Sequence, residues 1–220
     1  MIATFEMPPI ELLRRHAARV TNEYISKFRS GELHPDEWLR LMRSAAAKAP
    51  KLSILDGTCT SVSPADLLEA VEVSRQDDPY GVLIIDSASA WARSNESVGA
   101  TEYERTTLAI SALQQIAQKT RTAVVVVAEQ NRAGRNEPRQ DAAAGSRAFE
   151  YGAEVMIALS RDPDAIPDAN SAIIIELELV KNRLGVQGRK IPMRFEGGFM
   201  RFSEGEPVVI DMSRRGRRSA

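Results

Sequence analysis

The segment Gly81-Val82-Leu83-Ile84-Ile85-Asp86-Ser87 constrains this chain more than any other. Four consecutive aliphatic residues rich in β-branching predict a short strand buried on both faces, the pattern of a central strand in a parallel sheet. The run stops on a carboxylate. In open α/β sheets ligands sit in the crevice outside the carboxyl ends of the strands, so Asp86 stands where a magnesium ion and charged ligand groups would lie. An aspartate that caps the turn after an ordinary strand is the alternative, and the run alone does not separate the two.

The rest of the chain supplies the layers such a strand needs. Met1 to Met7 reads as the end of a strand, followed at once by Pro8-Pro9 and a helical pattern from Ile10 to about Phe28, with Ile10, Leu13, Val20 and Tyr24 on one stripe. Pro35 opens a second amphipathic helix carrying Trp38, Leu39 and Met42, which runs to about Lys48. Lys51 to Asp56 alternates as a strand does. Ser63-Pro64-Ala65-Asp66 starts another helix, with a serine cap and proline at its first position. Beyond Asp86 come a polar loop from Arg93 to Gly99, a helix from Thr101 to Lys119, and a second aliphatic strand, Ala123 to Ala128. After a Gly-, Pro- and Arg-bearing loop, Ala133 to Ser146, the pattern changes. Glu154–Leu159 and Ala172–Val180 read as strands, and Lys190–Phe195 with Phe199–Phe202 as a hairpin around Gly197-Gly198. Strands alternating with helices, then strands in succession, predict an α/β fold with a parallel sheet and an antiparallel extension.

Composition narrows the classes of function. In 220 residues the net charge is −1, so any contact with nucleic acid or membrane must come from local patches. A single cysteine, Cys59, excludes an internal disulfide and suits a reducing cytoplasm. His16 and His34 are too few and too far apart for a zinc site. No apolar run is long enough to cross a membrane as a helix.

Four strand ends deliver polar groups: Glu6 after IATF, Asp86 after VLII, Gln130 after VVVVAE, and Lys181-Asn182-Arg183 after IIIELELV. If these strands are neighbours, a carboxylate base, a magnesium ligand, an amide and a cationic pair face one crevice. Phosphoryl transfer draws on that inventory: a group that orients water, a metal clamp, and cations for the leaving phosphates. Taken one at a time, each also reads as a solvated strand end.

The ordered segments FEM, LIID, AEQNR, EYGAEVMIAL and VKNRLG resemble the RecA-like ATPase domain of DnaB-type replicative helicases and their RadA-type relatives, from Phe5 to about Phe202. Gly145 to Glu150 looks more like the RadA-type loop, and Gly188 to Phe202 more like DnaB. The resemblance implies a RecA-like P-loop NTPase core that uses ATP and Mg²⁺. It gives Glu6 the role of catalytic base, Asp86 that of the Walker B aspartate on the metal, and Gln130 that of γ-phosphate sensor. Lys181 and Arg183 would reach the nucleotide of the neighbouring subunit, the arginine as a finger. It further implies a homo-oligomeric ring, expected as a hexamer, that moves single-stranded DNA through its centre. Arg132, Arg135, Arg139 and Arg147 are the DNA-binding candidates, because phosphate tracking requires cations on a central loop. A solvated loop is the competing reading of these four arginines.

One departure from the family is large. A P-loop requires G-x-x-x-x-G-K-[ST], and these 220 residues contain none. In the family it precedes the strand that ends on the glutamate matching Glu6. We therefore read residues 1–205 as an N-terminally truncated RecA-like helicase domain without its first strand and P-loop, and 206–220 as a basic, disordered tail. The alternative is a degenerate RecA-like module that binds DNA or a partner without hydrolysing ATP. A missing strand should also leave an uncovered sheet face or edge.

Overall fold

A computed structural model describes residues 1–76, 78–95, 101–129, 148–149, 151–161, 166–168 and 171–205. Two four-stranded sheets organise them. The first is wholly parallel and consists of β1 (Ile2–Thr4), β2 (Ile54–Asp56), β3 (Gly81–Asp86) and β4 (Thr122–Val126), in the order β2-β1-β3-β4. The second is antiparallel and follows chain order through β5 (Val155–Arg161), β6 (Ala172–Asn182), β7 (Lys190–Glu196) and β8 (Arg201–Glu204). This is the α/β architecture expected, with β3 an inner strand between β1 and β4.

Helices connect the parallel strands because parallel pairing needs a crossover. Those in question are α1 (Pro9–Thr21), α2 (Ile25–Ser30), α3 (Pro35–Lys48), α4 (Pro64–Arg75), α5 (Ala88–Ser94) and α6 (Glu102–Thr120). The expected helix from Ile10 to Phe28 is broken in two. Asn22 adopts the left-handed conformation at φ 58° and ends α1, a role asparagine tolerates better than most residues. Capping boxes start α4, through Ser63 and Asp66, and α6, through Thr101 and Glu104.

The core lies on one face of the parallel sheet. Ala3, Leu83 and Ile85, all fully buried, meet Leu67 and Val71 of α4, Trp91 of α5 and Leu113 and Ile116 of α6. A second cluster joins Ala17, Ile25, Phe28 and Leu41 across α1, α2 and α3. The expectation that β3 is buried on both faces fails, and β4 shares its open face. Val82, Val125 and Val127 are 50%, 49% and 44% exposed, because α4, α5 and α6 all pack on the opposite face.

Among the described residues the antiparallel sheet meets the rest of the molecule at both ends. The tight 3-10 turn Gly197–Phe199 between β7 and β8 brings Phe199 to 4.5 Å from Tyr24, and Arg201 donates a hydrogen bond to Asn22. At the other end, Gln114 of α6 donates to the Gly152 carbonyl. Among the described residues no helix is long and apolar enough to cross a membrane. The expected basic tail, 206–220, lies outside the described residues.

Candidate functional site

Strands β1 and β3 run parallel with Thr4 opposite Asp86, and the ladder extends one step, Phe5 N–H donating to Asp86 O at 2.7 Å. Glu6 therefore leaves the sheet beside the residue that follows Asp86. There Ser87 Oγ donates to Glu6 Oε1 at 2.6 Å, and Arg93 Nη2 lies 3.8 Å from the same oxygen. Ser87 also caps α5, its Oγ accepting from Ala90 N–H at 3.4 Å. A hydroxyl has one proton to give. With that of Ser87 directed at the carboxylate, Ser89 must be the donor in the 3.1 Å contact between the two serines.

The backbone under Glu6 is held on both sides. Phe5 packs 6.2 Å from Trp91, ring centre to ring centre. Gly57 sits against that ring, and a Cβ there would approach it to 2.4 Å. Thr4 Oγ1 donates to Met7 O at 2.6 Å, turning the chain toward Pro8 and α1. Trp91 Nε1 is tied in turn to Val62 O at 2.8 Å.

Asp86 and Glu6 share the end of the sheet. Burial, and secondly the negative charge of Glu6, pushes the Asp86 carboxyl above its ordinary range, against a smaller opposing pull from Arg15 of α1. Two carboxylates in a partly desolvated crevice suit a hard divalent cation. No group of three His, Cys, Asp or Glu side chains converges among the described residues. Mg²⁺ does not need one, since it is commonly held by one or two carboxylates, waters and a substrate's phosphates. The residues present fit it.

The remaining candidates are placed differently. The ladder between β3 and β4 continues through Val127 N–H to Ile85 O and Ala88 N–H to Val127 O, so β4 also ends at this crevice. Gln130, Arg132, Arg135, Arg139 and Arg147 lie outside the described residues. Lys181 and Arg183 stand at the end of β6, in the other sheet. Arg183 donates from its backbone to Glu154 O at 3.0 Å and from Nη2 to Tyr151 O at 3.3 Å. The condition that the four strands be neighbours is thus met by β1, β3 and β4 and not by β6. The strands from 155 onward pair with their neighbours in sequence, and the parallel sheet brings together the ends of β1, β3 and β4 alone among these.

Sequence reasoning missed Ser87, Ser89, Arg93 and Arg15. The signal for the first was present: a serine directly before Ala88-Ser89-Ala90-Trp91 is a helix N-cap pattern. Arg15 carried no signal, because its proximity to Asp86 arises from packing of α1.

The family model for the DnaB-like helicase C-terminal domain matches residues 1–204. The chain belongs to the DnaB-like helicase C-terminal domain family. Among solved structures, it is similar to one of an ATPase domain, with a TM-score of 0.73 at 16% identity over 93% of this chain and 74% of that one. It is also similar to a DnaB-like replicative helicase solved for its interactions with primase, with a TM-score of 0.74 at 15% identity. That match takes in 93% of this chain and 50% of the helicase, so this DnaB-like chain spans half of that relative's length. At such identities the likeness speaks for the RecA-like fold. Comparison with curated proteins gives no match.

Proposed function

We propose that this chain is the C-terminal part of the ATPase domain of a DnaB-type ring motor that uses MgATP to move along single-stranded DNA in the cytoplasm. The observation that carries the reading is the meeting of Glu6 and Asp86 at the ends of neighbouring parallel strands, with family membership over residues 1–204 behind it. Residues 1–205 would form one RecA-like domain and 206–220 a basic tail outside it. The phosphate-cradling loop would come from outside these 220 residues, which hold no such motif.

In this reading Glu6 accepts the proton of the attacking water, and Asp86 holds the metal against the phosphates. The cation, when bound, supplies charge neutralisation on the β- and γ-phosphate oxygens. Gln130, just past β4, reports on the γ-phosphate. Lys181 and Arg183 sit on the other sheet, as suits cations that serve a neighbouring subunit's nucleotide, and arginine's fork of donors can engage phosphate bidentately. Arg132, Arg135, Arg139 and Arg147 contact the DNA backbone in the ring, expected as a hexamer with mixed DnaB and RadA features.

The absence of a G-x-x-x-x-G-K-[ST] motif favours a second reading, a RecA-like module that binds DNA or a partner without turnover. One experiment separates them: ATP turnover of the native protein on single-stranded DNA, compared with Glu6→Gln. A positioned base contributes roughly a hundredfold or more, so the variant should lose that much turnover while nucleotide binding stays near normal. Turnover of Glu6→Gln at the parent rate would refute the assignment, and a parent with no turnover would favour the module.

A further inference from the structure

We propose that Ser87 is a positioning residue for the Glu6 carboxylate, fixing one oxygen so that the other is free to take a proton from water. The inference rests on the reading of Glu6 as the catalytic base. Glu6 Oε1 accepts the Ser87 hydroxyl at 2.6 Å, the length of a charge-assisted O–H···O⁻ bond. Among the described residues Oε2 has no hydrogen-bond partner. A glutamate side chain that is 42% exposed has several rotamers open to it, and a base must be held within hydrogen-bond reach of the water it activates.

Ser87 is equipped to hold it. The residue is 2% exposed, and its backbone is fixed on both sides by Phe5 N–H to Asp86 O and by Ala88 N–H to Val127 O. Its Oγ is further oriented by the Ala90 amide and the Ser89 hydroxyl. Arg93 reaches the same carboxylate oxygen only at 3.8 Å, from a side chain that is 59% exposed, so solvent screens it and its long stem is loosely placed. The rigid hydroxyl sets the geometry and the arginine adds attraction.

The competing role for Ser87 is a plain helix cap on α5, and a double-mutant cycle separates the two. In the native ATPase on single-stranded DNA, Ser87→Ala should lower kcat roughly tenfold or more, since small misplacements of a catalytic group are costly, with KM for ATP within about twofold of parent. Ser87→Thr, which keeps the hydroxyl, should recover most of the loss. In a Glu6→Gln background the same Ser87→Ala change should have no further effect. Equal losses in both backgrounds, or an unchanged kcat in Ser87→Ala alone, would overturn the proposal. Should Ser87→Ala fail to fold, Ser87→Gly replaces it, glycine being tolerated at an N-cap. If Glu6→Gln keeps parental turnover, the function reading fails by itself, and crystal structures then decide the positioning role. A Glu6 carboxylate displaced in Ser87→Ala and restored in Ser87→Thr supports it; a carboxylate unmoved in Ser87→Ala overturns it.

Discussion

The two sheets have four strands each and opposite ways of holding together. In the parallel sheet, strands of three to six residues bury Ala3, Leu83 and Ile85 completely beneath three helices. In the antiparallel sheet the strands run to eleven residues, yet Ala172 is the only described strand residue that is buried. Register explains the second arrangement. Ile157 faces Leu179, Leu159 faces Leu177, Leu177 faces Ile191 and Ile175 faces Met193, which puts one apolar surface on one side. On the reverse side Arg194 pairs with Asp168 and Glu196, Arg201 with Glu196, and Lys190 with Glu176. The apolar side stays open: Ile157 and Leu159 are 55% and 57% exposed. The catalytic candidates follow this division. Glu6 and Asp86 stand on the packed, rigid sheet, and Lys181 and Arg183 on the one held by strand pairing and surface charge.

The contrast is broken most directly by cutting one leucine and one isoleucine. Leu83→Ala removes a fully buried side chain from the packed face of β3 and should destabilise the chain by about 2–5 kcal/mol. Ile157→Ala, on an exposed face of β5, should cost less than about 1 kcal/mol. Urea unfolding followed by circular dichroism measures both. Similar losses would mean that the antiparallel sheet carries a core of its own.

Much of the packed half was legible because its signals are local. The proline at the head of α3, the Ser63 box of α4 and the aliphatic run of β3 each state an element and one of its limits. Glu6 and Asp86 could be placed together because a strand end is a position on a sheet. What was not legible depends on packing. Nothing in the run GVLIID says that Val82 would lose its cover while Leu83 kept it. The short helix α5 went unread because seven residues give little periodicity, and with it went Ser87 and Arg93. The run of strands after Glu154 announced the antiparallel part, but that β6 pairs only with β5 and β7, away from β4, is settled by pairing and not by any local signal.

A smaller effect is expected where the packed sheet meets the site. At Gly57 a methyl group would come within 2.4 Å of the Phe5 ring and 3.3 Å of the Thr4 carbonyl. The ring is wedged against Trp91 and has little room to retreat. Gly57→Ala should therefore cost about 1–3 kcal/mol, the usual range for overpacking. Because Phe5 precedes Glu6, turnover should fall with stability. Gly188, at φ 72° with open space around it between β6 and β7, makes the control. Gly188→Ala strains only its own backbone conformation and should leave turnover unchanged. Equal losses of turnover in both variants would show that the Phe5 contact does not steer the site.

The smallest effect is a gain. Asp86 is held above its ordinary 3.8, first by burial and then by Glu6, so the folded state disfavours its ionised form. For a carboxyl whose folded value is raised, the stability contribution is fully present below the unfolded value and is lost as pH rises through the folded one. Near neutral pH the charged Asp86 is thus a burden on the fold. Asp86→Asn keeps the shape and removes the charge, along with the repulsion toward Glu6. Because Asp86 is partly exposed and solvent screens its charge, the melting temperature at pH 7 should rise only slightly, by at most on the order of 2 °C. The gap should close as pH falls toward and below 3.8, where Asp86 is protonated folded and unfolded alike. Scanning calorimetry across that range reads it directly. A variant less stable than the parent at pH 7 would mean that Asp86 makes a favourable contact that outweighs its burial, and the crevice would then be a structural junction before it is a metal site.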